Sequence, residues 1–153
     1  MVAKLKKDSI DKNITQEFGD TFKYYKIYLG CNADGFVTIE EFIPEKFQKY
    51  INNDAGCGQS ESDLIKKAEC FIHYTYAKSS KQLMVVDIQG CQYNLCDPEI
   101  ATRSVQTEDE YLFTTVNLSI YAFDNFEGTN VCNNYCTLLN LNPVTMFAMR
   151  SSD

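Results

Sequence analysis

The sequence has no long apolar run. Nowhere in its 153 residues do about 18 apolar residues follow one another, which excludes a transmembrane helix. The opening MVAKLKKDSI has no apolar core of the kind a signal peptide needs. Positive charge is also scarce. Lys and Arg number 14 against 21 Asp and Glu, and the net charge of -7 argues against nucleic acid or an anionic membrane as partner. There is one histidine, His73, and neither an internal repeat nor a low-complexity tract. What remains is an ordinary globular composition, 44% hydrophobic and 23% charged, in a chain of single-domain length. The seven cysteines, without a secretory signal, read as thiols or metal ligands in a reducing compartment. The expectation is a soluble, cytoplasmic domain.

Apolar spacing predicts a helix within residues 9–27, capped by Ser9 or Asp11, with Ile14, Phe18, Phe22 and Tyr25 on one stripe. Gly35 opens FVTIEEFI, a β-branched and aromatic run that predicts a strand ending at Pro44. EKFQKYINND then reads as a short helical turn, and DAGCGQSES as a polar loop between two parts of the chain. A helix is expected over 62–78, with Leu64, Ala68, Phe71, Ile72 and Thr75 inward. KQLMVVDIQG has the near-continuous apolar pattern of a buried strand, and Cys96-Asp97-Pro98 signals a turn. Residues 117–127 and 131–141 read as two final helices, so helices and strands do not alternate regularly. The fold class is therefore α+β.

The stretch GCNADGFVTIEEF raises a calcium question. With Gly35 at position 6 of a calcium loop, Asn32, Asp34, Thr38 and Glu41 fall at positions 3, 5, 9 and 12. Position 1 is Gly30, which offers no side-chain ligand, and no second loop exists to pair with. An EF-hand-like calcium binder is thus the most distant of the readings.

Two strings carry more chemistry. VVDIQG places Asp87 at the end of an apolar strand, with Gln89 on the same side by alternation, and LCDPEI places Asp97 ten residues on. Two carboxylates and an amide oxygen suit a hard cation such as magnesium, although both aspartates can equally serve turns. Cys132 and Cys136 are four apart, which puts them on one helical face as a half-site for zinc, or simply as packed core thiols.

The strings TIEEFIPEKFQKYINN, ECFIHYTY, LMVVDIQG, LCDPEI and NVCNNYC occur in the order and spacing of the alpha-kinases, atypical serine/threonine kinases that include myosin heavy chain kinases. Residues 36–141 resemble that family, and DIQG followed by DP is the most specific part. The resemblance implies an atypical kinase-like fold, mostly C-terminal lobe with a truncated N-terminal lobe. Residues 1–43 would be the remnant of the N-terminal lobe up to the hinge strand, 44–142 the C-terminal catalytic-lobe-like region and 143–153 a tail. It implies ATP- and magnesium-dependent phosphorylation of protein serine or threonine, with ATP and a protein substrate as partners. Asp87 would orient or deprotonate the acceptor hydroxyl, and Gln89 and Asp97 would hold magnesium. Glu40 would meet adenine at the hinge, and Lys49 and Asn53 would face the phosphates. His73, Cys132 and Cys136 would be ligands of a structural zinc whose second histidine is replaced here by Asn130.

Three departures from the family pattern support an alternative, a catalytically impaired, pseudokinase-like binding or scaffolding module. The family's glycine-rich loop is FTTVNLSIYA here, with Thr114, Val116 and Ser119 in the glycine places. Only about 35 residues precede FVTIEEF, too few for strands carrying an ATP-binding lysine plus a helix, and Lys4, Lys6 and Lys7 show no strand pattern around them. Cys96 replaces the hydroxyl residue usual before the DP aspartate.

Overall fold

The computed structural model describes residues 1–57, 61–103, 106–107, 110–111 and 119–144. Its centre is a helix (α3, Asp63–Lys78) in which every residue from 67 to 76 is buried. The inward stripe expected from sequence therefore widens to the whole circumference, as a helix does when it is packed on all sides. Asp63 in its first turn and Lys78 in its last complement the helix dipole. Each large side chain here, such as Phe71, Ile72 or Tyr74, contributes about 1.5–3 kcal/mol by leaving water.

Two helices precede α3, α1 (Val2–Asp11) and the single turn α2 (Thr15–Phe18). They dock on α3 through Leu5 and Phe18 and through an ammonium. Lys67 is buried, its Nζ donating to the Asp20 carbonyl at 2.8 Å and to the Tyr93 hydroxyl at 3.2 Å. The rings of Phe18, Tyr93 and Tyr135 stand 5.5, 4.8 and 5.2 Å from that Nζ. A buried cation is tolerable only when so enclosed by acceptors and ring faces.

The strands then build a mouth. β5 (Leu83–Val86) packs on α3 and pairs antiparallel with β8 (Glu99–Thr102), Val86 opposite Glu99. Between them a hairpin, β6 (Gln89–Cys91) and β7 (Asn94–Cys96), sets Gln89 opposite Cys96. β4 (Gln48–Lys49) pairs with β6, Lys49 opposite Gln89, and β1 (Lys23–Tyr24) runs parallel to β7, giving the order β1-β7-β6-β4. Gly90 has φ +151°, and a Cβ there would lie 2.1 Å from the Asn94 carbonyl oxygen, so only glycine lets β6 and β7 close. A separate hairpin joins β2 (Ile27–Asn32) to β3 (Gly35–Glu40), and α4 (Ser119–Thr129) and α5 (Asn134–Leu138) complete the core with Ala122, Phe123, Phe126 and Cys136. β9 (Gln106–Thr107) and β10 (Glu110–Tyr111) pair with each other.

Several expectations need correction. The helix read over 9–27 is instead α1, α2 and β1, because Asn13 (φ +55°) and Gly19 (φ +67°) turn the chain twice. Lys4, Lys6 and Lys7 lie on α1. The helical turn read in EKFQKYINND is β4 and an irregular run, held by hydrogen bonds to β6 some forty residues away. The calcium-like stretch is an antiparallel hairpin rather than a helix–loop–helix. The Asn32 side-chain oxygen, the position-3 ligand of that reading, accepts from the Asp34 backbone N–H at 2.9 Å.

Candidate functional site

The chain leaves β5 at Asp87 with φ +51° and turns again at Asp97 with φ +46°. The β6–β7 hairpin between them returns Asp97 to the end of the sheet where Asp87 emerges. The 45–53 segment closes the other side. Asp87 N–H donates to the Asn52 carbonyl at 3.3 Å, and Tyr50 and Ile51 N–H both donate to the Ile88 carbonyl, at 2.8 and 3.1 Å. The Tyr50 hydroxyl donates to the Gln92 carbonyl at 3.0 Å and the Cys91 thiol to the Glu45 carbonyl at 3.1 Å. Backbone pairing thus fixes where Lys49 and Asn53 begin.

Asp87 is buried at the base of this mouth. Lys49 Nζ stands 2.5 Å from its Oδ1, and Gln89 Nε2 donates to its Oδ2 at 2.8 Å. The lysine approach is an ion contact outside good hydrogen-bond angles, which leaves Oδ1 its accepting capacity. Because Gln89 spends its nitrogen on Asp87, its amide oxygen is the end free to meet a cation.

Around this core the charge is of one sign. Burial first, then Asp87 and Asp97, push the Glu99 carboxyl up, while Lys49 pulls it down. The Cys96 thiol is pushed up by burial, then by Glu40, Asp97, Cys91 and Asp87, which places the end of the β2–β3 hairpin within electrostatic reach of β7. Tyr24, on β1 beside β7, has a buried hydroxyl without a hydrogen-bond partner among the described residues, and burial raises its pKa with help from Cys96, Asp87 and Asp97. The carboxylates of Asp87, Asp97 and Glu99 beside one ammonium, with an amide oxygen among them, form an oxygen donor set that fits a hard divalent cation. Gln89 and Asp97 are the residues that would hold it.

A second cluster joins α3 to the segment that leads into and forms α5. His73, Cys132 and Cys136 place their ligating atoms within 4.8 Å of one another, Cys132 Sγ standing 3.6 Å from His73 Nδ1. The Cys136 thiol is drawn down chiefly by the Cys70 thiol donating to it, then by His73, against the opposing effect of burial. Cys132 is pushed up to about 11 by burial and by Cys136. Asn130 buries both polar atoms of its side chain without a well-formed hydrogen bond among the described residues, beside the Cys57 thiol. A soft thiolate-imidazole set with orphaned polar atoms beside it fits zinc.

The structure therefore brings together Asp87, Lys49 and Gln89, with Asp97 at the same mouth, and separately His73, Cys132 and Cys136. Glu40 is exposed at the end of β3, and Asn53 is half-buried beyond Asn52. Thr114 and Val116 lie outside the described residues, as does the Ser119 side chain. Sequence reasoning missed Tyr24 and Glu99. Glu99 sits inside LCDPEI and could have been flagged as a third carboxylate of that string. Tyr24 had no local signal, since it reaches the mouth through a parallel pairing with a strand seventy residues on.

The model of the alpha-kinase family matches residues 3–136. Transient receptor potential cation channel subfamily M member 6 of Homo sapiens is 32% identical over 128 residues, 83% of this chain and 6% of that protein. Myosin heavy chain kinase B of Dictyostelium discoideum is 33% identical over 113 residues, 74% of this chain and 14% of that protein. The crystal structure of the alpha-kinase domain of myosin heavy chain kinase A in complex with ADP matches with a TM-score of 0.69 at 24% identity, covering 91% of this chain and 57% of that one. The chain thus spans a small part of those curated relatives and somewhat over half of the solved kinase domain. No helix among the described residues is long and apolar enough to cross a membrane. By its sequence and by its α+β fold, this chain belongs to the alpha-kinase family.

Proposed function

We propose that the mouth around Asp87 binds ATP with magnesium and transfers the γ-phosphoryl group to a serine or threonine hydroxyl of a protein substrate. The observation that carries this reading is the placement of one buried carboxylate, Asp87, between an ammonium and an amide. Phosphoryl transfer asks for positioning and charge neutralisation more than for covalent chemistry, and these groups supply both. Lys49, 43% exposed at its side chain, swings from Asp87 to the phosphates, which Asn53 also faces. Glu40 meets adenine at the hinge end of β3. Freed of Lys49, Asp87 Oδ1 accepts the proton of the substrate hydroxyl. The hydroxyl oxygen so freed bonds to the γ-phosphorus as the bond to the β–γ bridging oxygen breaks, and ADP leaves. Gln89 Oε1 and Asp97 hold the magnesium, which when bound neutralises triphosphate charge. In the corresponding division of the chain, residues 1–43 belong to the N-terminal lobe, 44–142 to the C-terminal lobe and 143–153 to a tail. His73, Cys132 and Cys136 hold a structural zinc that ties α5 to α3.

One observation favours a second reading, a binding or scaffolding module without turnover. Thr114, Val116 and Ser119 stand where the family has glycines, and β-branched residues deny the backbone a close approach to a ligand. Calorimetry with ATP and magnesium, followed by phosphate transfer to a generic basic protein, separates the two. The kinase reading expects binding that Asp97→Ala weakens and transfer that Asp87→Ala abolishes. Binding without transfer selects the scaffold, and absence of binding, or binding indifferent to Asp97→Ala, rejects the site.

A further inference from the structure

The string IYLGCN carries no charge and no proline, and it folds into β2. Its sheet has two strands, and among the described residues no third strand pairs with either edge. No residue of β2 or β3 is buried. Ile27, Tyr28, Leu29, Phe36, Val37 and Ile39 are instead exposed, Leu29 at 73% and Phe36 at 79%. A hairpin of this kind is marginally stable alone. Proteins that leave a strand edge open guard it with lysine, proline or a bulge. β2 has none of these, since its register with β3 runs unbroken from Ile27–Glu40 to Asn32–Gly35. An unguarded edge between apolar faces suits pairing with another strand.

The loop Ala33-Asp34 decides which backbone groups face outward. A two-residue loop joins a hydrogen-bonded closing pair, here Asn32 and Gly35. By alternation, Ile27, Leu29 and Cys31 on β2, and Phe36, Thr38 and Glu40 on β3, turn N–H and C=O away from the hairpin. Two copies of β2 laid antiparallel about a two-fold axis at Leu29 match those groups. Leu29 then faces its own copy, Ile27 faces the other copy's Cys31, and each pair exchanges two N–H···O=C bonds. The pair between them sets Tyr28 against the other copy's Gly30, where the ring covers bare backbone. At each end Lys26 falls opposite the other copy's Asn32 and reaches diagonally toward Asp34, a meeting of opposite charges. The β3 edge fits itself less well, because a two-fold axis at Thr38 sets Glu40 against Phe36. Pairing β2 with β3 of another copy is not closed by symmetry and would add copies without end.

We propose that the chain forms a two-fold dimer in which β2 pairs with β2 of a second copy, giving one antiparallel sheet in the order β3-β2-β2-β3. The charge-free edge is then inside the sheet. The strand left at each outer edge is β3, which carries Glu40, a charge of the kind that guards an open edge. Pairing along six-residue strands makes a small interface, so the dissociation constant should be on the order of 1–100 μM. The paired edge contains none of Lys49, Asp87, Gln89 or Asp97, so the dimer stands or falls independently of phosphate transfer.

Sedimentation equilibrium on the full chain, from about 1 to about 300 μM, reads the dimer directly. Leu29→Lys should weaken association at least about 30-fold, because it puts two ammoniums together at the axis. Its thermal midpoint should match the parent's, since Leu29 is exposed in the single copy. Thr38→Lys, on the far edge of the hairpin, should leave association within about threefold. Ile27→Cys should cross-link to the other copy's Cys31 with oxidised glutathione as electron acceptor. A hydrogen-bonded pair stands about 5.5 Å apart at Cα, within the roughly 4.4–6.8 Å that a disulfide spans. Cys31 of the parent should not cross-link to its own copy, being four residues away along the pair, about 14 Å. Peptide mapping identifies the bond. A dimer weakened by Leu29→Lys alone and cross-linked between residues 27 and 31 establishes the pairing. A monomer throughout, a dimer indifferent to Leu29→Lys, one lost instead in Thr38→Lys, or a cross-link between other residues each overturns it. A monomer whose β2 amides exchange slowly also overturns it and assigns the edge to another segment of the same chain.

Discussion

Lys49 and Asp87 form an ion pair at 2.5 Å across the junction of β4 and the bend after β5, with one partner half in solvent and the other closed in. The asymmetry gives the two residues separable roles. Lys49→Met should cost less than about 1 kcal/mol of stability, because the lysine is well exposed, yet weaken ATP-magnesium binding by about tenfold through loss of a charge-assisted contact. Asp87→Asn keeps the shape and the Gln89 neighbour. It should leave nucleotide affinity within about threefold while lowering phosphate transfer at least about 100-fold, the scale of a lost general base. Calorimetry and a labelled-phosphate assay read the two effects. Equal losses of affinity in both variants would contradict the separation.

Gly90 is a position where backbone meets backbone. An added Cβ would meet Asn94 O at 2.1 Å and Leu95 Cα at 2.8 Å, neither of which can move without opening the β6–β7 hairpin. Gly90→Ala should therefore destabilise the chain by about 3 kcal/mol, from combined strain and overpacking. Gly35→Ala is the natural contrast, since its φ of +128° is equally unfavourable but nothing lies within 4 Å. That variant should lose only about 1 kcal/mol. Urea unfolding measures both, and similar losses at the two sites would mean that conformation alone, and not the close approach, governs Gly90.

Tyr24 buries a hydroxyl with no partner among the described residues, within electrostatic reach of Cys96, Asp87 and Asp97. An unsatisfied buried donor costs about 1–3 kcal/mol, so Tyr24→Phe should be neutral or stabilising by up to about 1 kcal/mol in the free protein. If the hydroxyl instead waits for a ligand group, the same variant weakens nucleotide-magnesium binding. A destabilisation measured in the free protein would show that the hydroxyl is bonded in solution.

The elements legible in sequence were those whose signal is local. α3 announced itself through spacing that ran unbroken for four turns, and β3 and β5 through β-branched runs. Asp87, Gln89 and Asp97 were legible because strand ends and an X-Pro turn bracket them. What failed depended on distant partners. β4 looks helical alone and is a strand only because β6 supplies hydrogen bonds. The 9–27 segment has helical spacing, but its outcome was decided by left-handed residues at Asn13 and Gly19 and by the docking of Phe18 and Phe22 on different neighbours.

Asp8 joins α1 to α3 by charge. Its Oδ2 accepts from the Tyr74 hydroxyl at 2.9 Å and pairs with Lys78 Nζ at 3.0 Å. The hydrogen bond from Lys78 holds the Asp8 carboxyl below its ordinary value, burial opposes it, and Tyr74 and the charges of Lys78 and Lys4 assist. Between the folded pKa and the ordinary value of 3.8, the unfolded chain binds more protons than the folded one. Stability from this contact is thus fully present above the ordinary value and disappears as pH falls through the folded one. Lys78 is 36% exposed, so screening limits the contribution to about 0.5–1 kcal/mol. Asp8→Asn should be less stable than the parent by that amount at about pH 7, with the gap closing at about pH 2 and narrowing in high salt. Urea midpoints for the pair at both pH values read the effect directly. A gap that stays constant with pH would assign the loss to packing at the α1–α3 contact and remove charge from the account of how α1 is held.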